Sequence, residues 1–201
     1  MAERHRCGEP RLGRREFLGG ALALLAAPRL LRAEETGLAP EVVRALEESG
    51  FVYVSPLRAD GGESRCHGEV WYGWLDGAVV IATRTGTWKA RALSRGLDRA
   101  RIWVGDHGRV KGEPGPDAPF RKAPSFEAEA EISRDPALLD RLLALYERKY
   151  PKEIGRWRDR MRREFEAGER VLIRYRPRVP GRAGFRRPGP RHAAAETRAL
   201  A

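Results

Sequence analysis

Thr83, Thr85, Thr87, Lys89 and Arg91 gather hydroxyl, ammonium and guanidinium donors in one short stretch. A dianionic phosphate needs donors of this kind. They follow a strand-like run, Ala78 to Thr83, and cross the expected start of a helix at Trp88. Free backbone N–H groups and the helix dipole favour an anion there as well. Lys89 and Arg91 stand two apart on that helix and do not share a face, so Lys89 is expected to point into the site while Arg91 serves from its side. On spacing alone, a solvated basic helix end accounts for the same residues equally well. The other chemistry-bearing residues form no constellation. Cys66 and His67 are neighbours on an extended segment and point to opposite faces, which disfavours both a metal pair and a nucleophile with its base. Cys66 reads as a buried or half-exposed thiol. His107, in Gly105-Asp106-His107-Gly108, reads as a turn residue. Glu127, Glu129 and Glu131 repeat every second position beside many arginines, the pattern of a solvated strand face rather than of a metal or acid/base cluster. No metal ligands and no catalytic residue can be named.

The elements that position these residues follow from periodicity. Val42, Val43 and Leu46 after Ala39-Pro40 predict a short helix that Gly50 closes. Phe51 to Leu57 reads as a strand. Glu69 to Leu75 and Ala78 to Thr83 flank Asp76-Gly77, a strong hairpin signal. Thr87 can cap a helix from Trp88 to Arg95 that Gly96 ends. Arg101 to Gly105 returns to strand, and Ser125 to Ile132 alternates, with Phe126, Ala128, Ala130 and Ile132 facing inward. Asp135-Pro136 opens a helix carrying Leu138, Leu139, Leu142, Leu143, Tyr146 and Tyr150 on one stripe. A second helix follows Pro151, with Ile154, Trp157, Met161 and Phe165 inward, and Glu169 to Arg176 forms the last strand. The sum is an α+β chain, mainly antiparallel β, with short connections that favour a small barrel with flanking helices over a doubly wound sheet.

Composition bounds the class. A chain of 201 residues with 41% hydrophobic and 33% charged residues fits one domain with appendages. The net charge of +11 is uneven. Residues 1–33 carry seven Arg against three Glu and the segment from Pro177 carries six Arg against one Glu, which leaves about +2 for Glu34 to Arg176. A near-neutral core argues against nucleic acid as its partner. Past Cys7 the only cysteine is Cys66, which excludes an internal disulfide there. Residues 177–201 are Arg, Pro, Gly and Ala with little to bury, so a disordered basic tail is expected.

At the N-terminus, Arg14-Arg15-Glu16-Phe17-Leu18 precedes an apolar run of about a dozen residues, short of the roughly 20 that span a bilayer. Residues 1–33, ending Leu31-Arg32-Ala33, resemble a twin-arginine signal peptide. The resemblance implies export by the twin-arginine translocase to the periplasm or another extracytoplasmic space, or membrane anchorage if the leader is not cleaved. That route carries folded proteins, often with a cofactor already inserted.

Residues 40–176 resemble the pyridoxamine 5′-phosphate oxidase-like, FMN-binding split-barrel family. The resemblance is carried by Val70-Trp71-Tyr72, the Asp76-Gly77 turn, Val79-Val80-Ile81-Ala82-Thr83, Thr87-Trp88-Lys89-Ala90-Arg91-Ala92-Leu93 and Arg101-Ile102-Trp103-Val104. It implies a split β-barrel in which Val70, Trp71 and Tyr72 run beside the flavin ring and Ala82 and Thr83 meet ribityl or phosphate oxygens. Lys89 and Arg91 then bind the phosphate. Trp88, with Trp71, Trp74 and Trp103, would line the ring slot or else serve as core or interface aromatics. The family implies a homodimer with its cofactor at the interface, a small-molecule substrate and flavin-dependent redox chemistry. Vitamin-oxidising members carry an Arg-x-His element; here the last strand reads Leu172-Ile173-Arg174-Tyr175-Arg176, so pyridoxamine phosphate is not the expected substrate. Related deazaflavin F420-dependent reductases share a similar Thr-Lys-Arg block, and some split barrels bind haem, so F420 reduction and non-catalytic flavin or haem binding stand as alternatives.

Overall fold

The computed structural model describes residues 36–110 and 114–178. The twin-arginine leader and the tail beyond Arg178 lie outside them. Helix α1 (Pro40–Glu48) buries Val42, Val43 and Leu46 and is followed by β1 (Val52–Pro56), β2 (Gly68–Val70), β3 (Gly73–Leu75) and β4 (Ala78–Arg84). Next come α2 (Trp88–Ser94), β5 (Arg99–Val104), a 3-10 turn at Pro119–Lys122 and β6 (Ser125–Ser133). The chain ends in α3 (Pro136–Lys149), a 3-10 turn at Ile154–Arg156, α4 (Arg158–Glu166) and β7 (Arg170–Pro177).

All strand pairs are antiparallel, in the order β2-β1-β5-β6-β7-β4-β3. The strands at the two edges, β2 and β3, are consecutive in the chain with only Trp71 and Tyr72 between them. A sheet whose first and last strands are joined this closely has to curl until its edges nearly meet, so the fold is an α+β split barrel with flanking helices. Its interior holds Val52, Val54, Tyr72, Val79, Ile81, Ile102, Phe126 and Ile173. A second apolar layer lies on the other sheet face, where Val80 and Leu172 meet Leu138, Leu139, Leu142, Tyr146 and Phe165 of α3 and α4.

The expected single strand from Glu69 to Leu75 is broken. Tyrosines of α3 satisfy the backbone at the break: Tyr146 Oη donates to Trp71 O at 2.9 Å, and Tyr72 N donates to Tyr150 Oη at 3.2 Å. Trp71 stacks on Tyr150 with centroids 4.5 Å apart, and Tyr72, with no exposed surface, donates its hydroxyl to Leu46 O at 2.7 Å. A helix more than 70 residues downstream thus closes the barrel's covalent corner, which strand alternation could not reveal.

Other local expectations hold. Asp76 and Gly77 both have positive φ, 51° and 66°, as a type I′ hairpin turn requires. Asp135 Oδ1 accepts from Ala137 N at 2.9 Å, capping α3 ahead of Pro136. Others differ. Helix α1 ends at Ser49 rather than on a left-handed Gly50, Ile132 stays 41% exposed because the inward alternation stops at Ala130, and the helix expected after Pro151 opens as the 3-10 turn at Ile154–Arg156 and becomes α-helical only from Arg158.

Register places α1 and α2 at opposite mouths of the barrel. Val52 pairs with Val104 near α1, whereas Pro56 pairs with Ala100 at the end where α2 leaves β4.

Candidate functional site: a cationic cavity along helix α2

Helix α2 closes its mouth by packing Trp88 and Leu93 against the barrel interior. Trp88, Arg91, Ala92 and Arg95 recur at i, i+3, i+4 and i+7, so they share one face. With Pro56, Ser64, Cys66 and Leu97 they line a cavity of about 230 Å³. Lys89 turns to the neighbouring side. Its Nζ lies 4.4 Å from the centroid of the Trp88 ring, beside Gly68 of β2. A Cβ built on Gly68 would come within 3.0 Å of Trp88 and 3.5 Å of Lys89 Nζ, so the missing side chain leaves the room that both residues occupy. Lys89 and Arg91 therefore diverge, but in the reverse of the expected roles: Arg91 and Arg95 line the cavity, whereas Lys89 turns from it toward Gly68.

The electrostatics of this helix are unusual for the chain. Among the described residues, no carboxylate pairs with Lys89, Arg91 or Arg95. Burial pushes the Lys89 ammonium below the usual lysine range, and Cys66 offsets part of that shift. A desolvated cation without a counter-charge is costly, and a bound anion is one way to relieve it.

The threonines have a different role. Thr87 Oγ1 donates to Arg84 O at 2.9 Å, and Thr83 Oγ1, on a buried side chain, lies 3.0 Å from Thr87 Oγ1. With the Thr87 proton committed to Arg84, Thr83 is the donor in that pair. Thr85 Oγ1 donates to Glu169 O at 3.1 Å. In this arrangement the hydroxyls tie the β4–α2 turn, and Thr87 occupies the N-cap position without a side-chain capping bond. Glu164 of α4 braces the same turn. It is paired with Arg84, Arg160 and Arg170, and Arg170 Nη1 also donates to Ala82 O at 3.1 Å. The Arg84 hydrogen bond above all, helped by Arg170 and Arg160, holds the Glu164 carboxyl well below the usual range.

The remaining expected site residues divide between the two sheet faces. Val70 packs with Trp88 against the barrel interior, and Tyr72 lies within it. Trp71 and Ala82 pack in the outer layer beneath α3 and α4. Trp74 also borders the interior, whereas Trp103 meets Phe120 edge-on at 6.0 Å on the opposite face. Cys66 is exposed, and His67 lies across the sheet from it, 2.6 Å from Ser55 Oγ under Phe120. Arg95 belongs to the basic cluster with Lys89 and Arg91 that the sequence displays, and it lines the cavity. The expectation omitted Gly68, Ser64 and Cys66, which depend on how the loop between β1 and β2 folds back.

No protein-family model matches the sequence, and no curated protein matches it. Among solved structures the chain is similar to the haem storage protein HutZ from Vibrio cholerae, at 16% identity over 69% of this chain and 89% of that one, with a TM-score of 0.45. It is similar to a Listeria innocua protein named for pyridoxamine 5′-phosphate oxidase, at 12% identity over 68% and 90%, TM-score 0.44. It is also similar to an F420 reductase, at 16% identity over 67% and 91%, TM-score 0.36. Any ligand assignment rests on the residues of this chain.

Proposed function

We infer that the chain binds FMN at the α2 mouth and serves as a flavin-dependent oxidoreductase, exported in folded form by the twin-arginine route. The observation that carries this reading is the Lys89 ammonium, withdrawn from water, paired with no carboxylate among the described residues, and neighboured by Arg91 and Arg95, which line a cavity. Lys89 and Arg91 would hold the phosphate and Arg95 would add long-range attraction, while Trp88 and Val70 would offer apolar surface to the ring. When bound, the flavin supplies hydride and single-electron transfer; the protein binds it, orients it and excludes water. No side chain here has to act as an acid or base. A cavity of about 230 Å³ falls short of the roughly 300–1,000 Å³ of complete small-molecule sites. That shortfall supports a homodimer in which a second copy of the chain completes the pocket.

Titration of the purified protein with FMN, followed by flavin absorbance and fluorescence, tests the reading. Saturable binding with one flavin per chain is expected. Protein that ignores FMN but takes up F420 or haem, the latter with a Soret band, would replace FMN with that cofactor. Indifference to all of them would leave an empty scaffold.

A further inference from the structure

At the opposite mouth, α1, β3 and α3 enclose a second cavity of about 380 Å³, lined by Leu46, Glu47, Glu48, Trp74, Leu145, Arg148 and Lys149. Lys149, the last residue of α3, lays its Nζ 3.4 Å from the centroid of the Tyr72 ring and 5.8 Å from that of Tyr150. Its one hydrogen-bond partner among the described residues is Tyr72 O, at a long 3.5 Å. Among the described residues no carboxylate is ion-paired with it; Glu47 and Glu48 line the same cavity and have interactions of their own. The facing Tyr72 and Tyr150 hydroxyls are pushed up by burial and stay neutral, and Arg148 adds a positive charge on the same helix. The result is an amine on an apolar wall, open to a space of small-molecule size.

We propose that this cavity takes small aromatic aldehydes, with the ring against Trp74, Leu46 and Leu145 and the carbonyl carbon at Lys149 Nζ, where an imine forms. The nitrogen lone pair attacks the carbonyl carbon, a C–N bond forms, and the carbonyl oxygen leaves as water carrying both amine protons. No oxidant or reductant is needed. Burial supports the chemistry by pushing the Lys149 amine down to about 7, against the ring faces of Tyr72 and Tyr150, which favour the ammonium. A neutral amine is the nucleophile, and an ordinary lysine near 10.4 holds little of it at neutral pH.

The test treats the full chain with benzaldehyde and cyanoborohydride, which reduces any imine to a stable secondary amine, and maps the adducts by peptide mass spectrometry. At pH 7, Lys149 should be labelled about tenfold or more faster than the exposed Lys122 and Lys152. The Lys149 rate should rise through a midpoint near pH 7, and Trp74→Ala should slow it without changing Lys122 or Lys152. A lysine present only to contact Tyr72 O would be the slowest of the three because it is buried. Labelling of Lys149 no faster than the surface lysines overturns the proposal, as does a fast rate that Trp74→Ala leaves unchanged.

Discussion

Cations are treated in opposite ways on α2 and on the outer sheet face with α4. On the sheet, Arg99 and Arg101 share Glu127, Arg174 and Arg176 share Glu131, and Arg178 approaches Glu129. Glu164 alone collects Arg84, Arg160 and Arg170. On α2, by contrast, Lys89, Arg91 and Arg95 stand beside a cavity and, among the described residues, pair with no carboxylate. Among the described residues, single exposed arginines without an ion pair, such as Arg134 and Arg163, also occur elsewhere. What marks α2 is three cations gathered on one short helix beside a cavity, one of them a desolvated ammonium; the other desolvated amine, Lys149, has only Arg148 beside it at its cavity. Matched charges fix elements to one another, whereas unmatched charges at a cavity are available to a ligand.

The sharpest way to break this comparison is at Glu164. Glu164→Gln leaves the guanidinium of Arg170, itself only 9% exposed, without its counter-ion. Loss of one partner from a buried pair should cost on the order of 3 kcal/mol, or a fall in Tm of roughly 10 °C for a domain of this size. The pH dependence has a definite sign. The folded carboxyl is held below its unfolded value near 4.3, so its contribution is complete above that pH and fades as pH falls through the folded value. Thermal melts of parent and variant should converge in acid, and a gap that stays constant from pH 7 to pH 3 would remove Glu164 from its role.

Lys89→Ala reverses the pattern. FMN affinity should weaken by about 1–3 kcal/mol, or roughly five- to 150-fold, the value of a hydrogen bond to a charged group. Stability should hold or rise, because the variant no longer buries an uncompensated ammonium. A Tm drop like that of Glu164→Gln with FMN binding unaltered would make Lys89 structural. Arg91→Ala removes the second proposed phosphate contact and should weaken FMN as Lys89→Ala does, whereas Arg95→Ala, at an exposed position, should weaken it only about two- to fivefold, and added salt should shrink that smaller difference. Equal losses at high and low ionic strength would mean direct contact rather than long-range attraction.

Much of the fold was legible because it rests on local signals. The Asp76-Gly77 turn, the Asp135-Pro136 cap and the alternation of β6 each specify their element within a few residues. The break at Trp71 and Tyr72 was not legible, since its backbone partners lie on Tyr146 and Tyr150 and exist only after α3 docks. The candidate site divides along the same line. Lys89 and Arg91 announce themselves by type, and their divergence follows from helical geometry. Cys66 and Ser64 reach the cavity, and Gly68 makes room for Trp88 and Lys89, through a loop whose path is set by pairing to β1. The threonines show the limit of reading by residue type: their hydroxyls suit a phosphate, yet Thr83, Thr85 and Thr87 donate to the protein's own turn.

The smallest expected effect is also the control for the rest. Glu131 sits between Arg174 and Arg176 across β6 and β7, and in the Arg176 pair the side chains are 56% and 38% exposed. Water and salt screen such charges, and long side chains lose freedom in pairing, so Glu131→Gln should cost at most about 0.5 kcal/mol. It should leave FMN affinity unchanged, because no residue of this stripe lines the cavity. If this variant weakens FMN as much as Arg91→Ala does, ligand binding responds to the overall charge of the barrel, and the distinction between matched and unmatched cations loses its meaning. If only the α2 variants do so, the effect belongs to that helix.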